Sequence, residues 1–100
     1  MELSDLNFKQ VLVVLTKPNM RIEIINYLKE QEIDLGLKFV DSYMDGAKMV
    51  QRLEHDPYDF IIVDKLVNNA KSKDFIEFIT VEKKETKILT FSSDEKLNYL

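Results

Sequence analysis

Three polar residues follow apolar runs that have the composition of buried strands. Asp64 follows the run Phe-Ile-Ile-Val, Ser92 follows Ile-Leu-Thr-Phe, and Thr16 follows Val-Leu-Val-Val-Leu. The carboxyl ends of parallel strands meet at one edge of a sheet, which is where such folds place their working crevice. Asp64 is therefore a candidate active-site carboxylate. The structural alternative is a strand-end carboxylate that accepts hydrogen bonds from Ser92 or Thr16.

The two hydroxyl residues also have ordinary structural interpretations. Ser92 precedes Asp94 at a break in the apolar pattern, where a serine often caps a turn or a helix. Thr16 precedes a predicted helix that begins at Pro18, and this position favours a helix-capping role even more strongly than for Ser92. A sensor role for Ser92 is the competing hypothesis.

The other groups that could do chemistry are isolated. His55, the one histidine, has no companion His or Cys and is interpreted as a surface residue near a helix end, not as a metal ligand or a phosphorylated histidine. Asp41 and Asp45 are candidate metal ligands, but they follow a predicted edge strand that is one strand away from Asp64. The sequence therefore predicts no metal site and no catalytic residue set.

Composition limits the possible functions further. The 100 residues are 45% hydrophobic and 32% charged, as expected for one globular domain, and the formal charge of −4 without a basic cluster argues against direct binding to nucleic acid. No cysteine is present, which fits a reducing cytoplasm. The longest apolar run, residues 11–15, is too short to insert in a membrane, and the N-terminus does not resemble a signal peptide. We expect a cytoplasmic protein.

Strands and helices alternate along the chain. Continuous apolar runs predict buried strands at 11–15, 60–63 and 88–91, and the weaker alternation at 35–40 predicts an edge strand. Helical spacing predicts helices from Pro18 to about residue 31, from an Asp45 cap to about residues 55–57, around Phe75, Ile76 and Ile79, and from 94 to 100. This alternation predicts an α/β fold with a parallel sheet and helices on both faces.

The order and spacing of these pieces resemble the receiver domain of bacterial response regulators. The similarity spans essentially the whole chain and includes the Asp45-Gly46 turn, the Tyr-Asp-Phe-Ile-Ile-Val-Asp run ending at Asp64, and the Ile-Leu-Thr-Phe-Ser-Ser run. The resemblance implies a flavodoxin-like α/β/α sandwich, with Asp64 equivalent to the phospho-acceptor and Ser92 to the switch hydroxyl. For the first four strands it implies the order 2-1-3-4.

Two departures from the family bear on function. Receivers hold Mg²⁺ with an acidic pair after strand one, and this chain has Leu15 and Thr16 there. The family's lysine after strand five also has no counterpart, because strand five is expected to be missing. The chain is then either the N-terminal part of a longer protein or a four-stranded domain whose fourth strand is an exposed edge. In the second case some of the residues Phe75, Phe78 and Phe91, otherwise core residues, would lie exposed and mark an interface.

These departures lead to one main hypothesis and two alternatives. We expect a degenerate receiver, or pseudo-receiver, that is not an enzyme, needs no cofactor, and acts in signal transduction by binding a protein partner or by self-association through strand four. The alternative is an atypical receiver that is phosphorylated on Asp64 with Mg²⁺ in a two-component pathway. A flavodoxin-like domain for a small ligand is disfavoured, since no glycine-rich phosphate loop follows strand one.

Overall fold

A five-stranded sheet with helices on both faces forms the centre of the protein. The computed structural model describes residues 3–51, 58–64, 70–82 and 86–99. After a 3-10 turn at Leu3–Leu6, the elements are β1 (Gln10–Val14), α1 (Pro18–Glu30), β2 (Gly36–Val40), α2 (Tyr43–Gln51), β3 (Phe60–Asp64), α3 (Ala70–Glu82), β4 (Lys87–Ser92) and β5 (Lys96–Tyr99). The α/β class expected from the alternating pattern is confirmed.

The sheet is mixed, with the order β2-β1-β3-β4-β5. The pairings of β1 with β2, β1 with β3 and β3 with β4 are parallel, and β5 pairs antiparallel with β4. As predicted, β1 lies inside the sheet and β2 at an edge. The inner strands are buried on both faces, which explains their uninterrupted apolar sequences.

Each face of the sheet has its own apolar core. Alternate residues of β1 and β3 point to opposite faces, because the side-chain period of a strand is two. Val13 and Ile62 pack with Ile24 and Leu28 of α1. On the other face, Leu12, Ile61 and Val63 pack with Val50 of α2 and with Phe75 and Ile79 of α3. The helices therefore form one layer on each side of the sheet.

Residues 96–99 form a strand, so the predictions of a helix over 94–100 and of a missing fifth strand are wrong. β5 pairs with β4 through Phe91↔Leu97 and Ser92↔Lys96. A four-residue stretch is too short for periodicity to separate helix from strand. Because β5 covers β4, the premise of self-association through a free strand four is also wrong. The sheet is likewise not purely parallel, and Phe91 is fully buried.

Helix α2 begins earlier than its predicted Asp45 cap. The backbone N–H of Asp45 donates to Ser42 Oγ at 3.1 Å, so Ser42 occupies the cap position and Asp45 and Gly46 lie inside the first turns. A Cβ on Gly46 would lie 2.9 Å from Val14 Cγ2 and 3.1 Å from the Phe75 ring. The glycine thus lets α2 approach both β1 and α3. The predicted end of this helix at His55 lies outside the described residues.

Helix α1 ends in a Schellman arrangement without glycine. Ile33 N–H donates to Leu28 O at 3.0 Å and Glu32 N–H to Lys29 O at 3.0 Å, which are the two bonds that define this cap. Glu32, at the position that favours glycine, has φ 56°. Its carboxylate also stands next to the negative end of the helix dipole. Both features disfavour glutamate at this position.

Glu32→Gly is therefore expected to stabilise the fold by about 1 kcal/mol, because glycine adopts positive φ without a Cβ clash. Urea unfolding followed by circular dichroism measures the change. Glu30→Gly is the matched control: it lies at the end of the helical segment and should destabilise by up to about 1 kcal/mol. Equal effects at the two positions would contradict the proposed origin of the gain.

Candidate functional site

Asp64 ends β3 as a buried carboxylate that Thr16 holds from the neighbouring strand end. The side chain of Asp64 is 1% exposed. Thr16 Oγ1 donates to Asp64 Oδ2 at 2.5 Å, and Thr16 N–H lies 3.1 Å from Oδ2 and 3.3 Å from Oδ1. β1 and β3 are adjacent, so Thr16, which lies just beyond β1, is within hydrogen-bonding distance of the end of β3. The carboxylate is thus hydrogen-bonded to the chain itself.

Two further hydroxyl residues extend the site, because Tyr43 feels the charge of this carboxylate and Ser72 lies next to Tyr43. Burial raises the pKa of Tyr43, the neighbouring Ser72 hydroxyl lowers it, and the charge of Asp64 raises it, with the rise prevailing. Within the described part of the chain, Tyr43 Oη is a buried oxygen without a hydrogen bond of regular geometry. Ser72 itself is 3% exposed. Asp64 therefore has the Thr16 hydroxyl as a hydrogen-bond donor and the Tyr43 hydroxyl as a neighbour, with Ser72 next to Tyr43.

Ser92 lies at the end of β4 and takes part in the β4–β5 turn. Its Oγ accepts a hydrogen bond from Glu95 N–H at 3.0 Å, which closes the turn before Lys96. In the parallel register Asp64 is opposite Phe91, one residue before Ser92. The structure thus gives the Ser92 hydroxyl a turn-stabilising contact, the structural interpretation weighed above for this residue.

The residues at the site do not fit the Mg²⁺ that the receiver resemblance implies. Leu15, at the first degenerate acidic position, is 1% exposed and belongs to the apolar core on the α1 face. Thr16, at the second, donates its hydroxyl to Asp64. Mg²⁺ needs near-octahedral oxygen ligands and usually more than one anionic partner, counting substrate phosphates. Asp64 is the one carboxylate that the described contacts bring to this point.

Among the described residues, no hydrogen bond or ion pair joins Asp64 to the two other acidic candidates, Asp41 and Asp45. Asp41 forms an ion pair with Arg21, whose guanidinium also lies 5.4 Å from the centre of the Phe39 ring. Asp45 sits in the first turn of α2 beneath its Ser42 cap. Lys65, which follows Asp64 in the sequence, lies outside the described residues.

Beside the Asp64 cluster, an open groove of ≈ 850 Å³ runs between the first turns of α2 and α3. Thr16 and Tyr43 border it at the sheet edge. Its apolar lining consists of Met44, Ala47, Phe75 and Phe78, and Lys71 and Asp74 are among its polar lining residues. The groove places an apolar surface next to the buried carboxylate.

Sequence reasoning did not identify Tyr43 or Ser72 as members of the site. Both occupy the first turn of a helix that follows a strand, Tyr43 after β2 and Ser72 a few residues beyond β3. A helix that follows a parallel strand begins near the carboxyl edge of the sheet. The position of Tyr43 and Ser72 in a first helical turn was therefore the sequence signal that could have identified them. Phe75 and Phe78, by contrast, were recognised as helix-face residues.

Comparisons with known proteins found neither a matching family model nor a similar curated protein. Within the described ranges, no helix has the length and apolar character needed to span a membrane.

Proposed function

We propose that this protein is a receiver-like module of a signal-transduction pathway that works by protein–protein interaction and without Mg²⁺-dependent phosphorylation. In this proposal the flavodoxin-like scaffold is retained and the phosphorylation chemistry is lost. Asp64 is the equivalent of the phospho-acceptor and acts as a structural residue at the edge of the sheet.

The architecture supports the receiver-like part of this proposal. An acidic residue ends the central strand β3, a hydroxyl residue ends β4, and helices cover both faces of the sheet. The antiparallel β5 stands where the family has a parallel strand reached through a further helix. We infer a scaffold of the receiver type with a modified last strand.

The observation on which the rest of the proposal depends is the pairing of Thr16 with Asp64. A phospho-acceptor needs a carboxylate oxygen free for in-line attack and a cation to neutralise the phosphoryl oxygens. Here Asp64 Oδ2 accepts the Thr16 hydroxyl at 2.5 Å, and Leu15 is buried in the core. Loss of the metal removes several kcal/mol of charge stabilisation from the transition state. A binding module needs none of this chemistry.

Beryllofluoride, an analogue of the phosphoryl group, tests the proposal. We expect no saturable change in the backbone amide NMR signals of Thr16, Asp64 and Ser92 when Mg²⁺ and beryllofluoride are added to the ¹⁵N-labelled protein. Saturable shifts at these amides that vanish in Asp64→Asn would overturn the proposal and establish an atypical receiver. Shifts that persist in Asp64→Asn would indicate ion binding that does not involve the carboxylate.

A further inference from the structure

The groove between α2 and α3 is lined by one exposed methionine and by apolar side chains that are buried or half-buried. Of its lining residues, Met44 is 69% exposed, whereas Phe75 is 4% exposed. Ala47 and Phe78 are half-buried and complete the lining. Methionine is flexible and polarisable, and it adapts well to an irregular apolar surface. An exposed methionine beside an apolar groove suggests an interface.

Two opposite charges stand beside this groove, one turn apart on α3. Lys71 and Asp74 are both exposed and both line the groove. Neither forms an ion pair in the described part of the chain, where the recorded ion pair joins Arg21 and Asp41. Both side chains are exposed, so a partner can contact them.

We propose that this groove is a homodimer interface in which Met44 of each copy enters the groove of the other. A two-fold interface brings residue i of one copy against residue j of the other, and j against i. When the two-fold axis passes between Lys71 and Asp74, Lys71 of each copy faces Asp74 of the other. The interface then contains two identical pairs of opposite charge. The inference rests on the proposed function, because it names the surface and the partner of the interaction module.

The charge pattern favours a second copy over a different macromolecule. A surface that binds a strongly acidic or basic partner has an excess of the opposite charge. Three charged residues line this groove: Asp41, whose charge is balanced by its ion pair with Arg21, and Lys71 and Asp74, which balance each other, whereas the whole chain has a formal charge of −4. Reciprocal Lys71–Asp74 pairs between two copies therefore match the charges of this groove. These pairs act at close range, where they oppose the general repulsion between two copies that each have a net negative charge.

Two single charge reversals and their mixture test the arrangement. Sedimentation equilibrium at concentrations up to about 1 mM should show the wild type as a dimer in low salt. Asp74→Lys places Lys against Lys at both contacts, and Lys71→Asp places Asp against Asp, so each variant alone should dimerise at least about tenfold more weakly. An equimolar mixture should form a heterodimer, because both contacts are then complementary.

Met44→Glu should abolish the dimer, and Ile22→Glu is its matched control. Ile22 is 64% exposed on α1, which packs against the opposite face of the sheet. All four substituted side chains are exposed, so thermal melting should show each variant folded. A monomeric wild type, a dimer unaffected by Met44→Glu, or a mixture that fails to associate would each overturn the inference. The beryllofluoride result is independent, so the dimer can fail while the proposed function stands.

Discussion

Thr16→Val is expected to lower the free energy of unfolding by about 2 kcal/mol, within the range for hydrogen bonds to charged groups. Valine has nearly the shape of threonine but cannot donate a hydrogen bond. Asp64 would remain 1% exposed and lose the hydroxyl that lies 2.5 Å from its Oδ2. The backbone N–H of Thr16 would remain as a donor. Chemical unfolding monitored by circular dichroism measures the loss.

Thr16→Ser is the control, because serine keeps the hydroxyl and removes only a methyl group. We expect it to retain most of the stability, with a loss of roughly 1 kcal/mol or less. The hydroxyl group then accounts for the stabilisation, and the free energy of unfolding should decrease in the order Thr, Ser, Val. If Val matched or exceeded Ser, the Thr16–Asp64 bond would contribute no stability, and the structural role proposed for Asp64 would be wrong.

The central strands could be predicted from the sequence because their burial leaves one interpretation. Val11 to Val14 and Phe60 to Val63 are apolar without interruption, a pattern that soluble proteins tolerate where both faces of a strand are covered. The lower burial of β2 likewise agreed with its weaker alternation. In these segments local composition and tertiary environment require the same structure, so the prediction was robust.

The last strand could not be predicted, because its structure depends on a turn and on a partner strand. Residues 94–100 start with acidic residues and have apolar residues at 97 and 100, which also suits a first helical turn. In the structure Ser92 accepts the Glu95 N–H, and Lys96 adopts φ 59°, which turns the chain back along β4. A lysine at positive φ gives no signal in a sequence.

The candidate site was predicted at its centre and missed at its border. The sequence offered Ser92 or Thr16 as the hydrogen-bonding partner of Asp64, and in the structure Thr16, which follows the adjacent strand β1, donates to it. Tyr43 and Ser72 belong to α2 and α3, which pack on one face of the sheet, and α2 lies so close to β1 and α3 that a Cβ on Gly46 would crowd Val14 and Phe75. Packing of this kind involves residues distant in sequence, so local periodicity does not report it.

The second large loss of stability is expected from a substitution of Phe91, which lies on β4 and pairs with Leu97 of β5. Its side chain is fully buried, and its ring centre lies 6.3 Å from that of Tyr27 on α1. Phe91→Ala should cost about 3–5 kcal/mol, as expected for a large cavity in a core. A domain of this size is stable by only about 5–15 kcal/mol, so the variant should be close to unfolding. Phe91→Leu, the milder control, should lose less than about 2 kcal/mol.

A double-mutant cycle with Leu97 tests whether this loss involves β5. Leu97 is 7% exposed, pairs with Phe91 in the antiparallel register and belongs to the same core. Leu97→Ala alone should cost about 2–3 kcal/mol. If the two side chains are cross-strand neighbours, combining Leu97→Ala with Phe91→Leu should cost less than the sum, by about 0.5–1.5 kcal/mol. Additivity within about 0.3 kcal/mol would mean that the two residues do not touch.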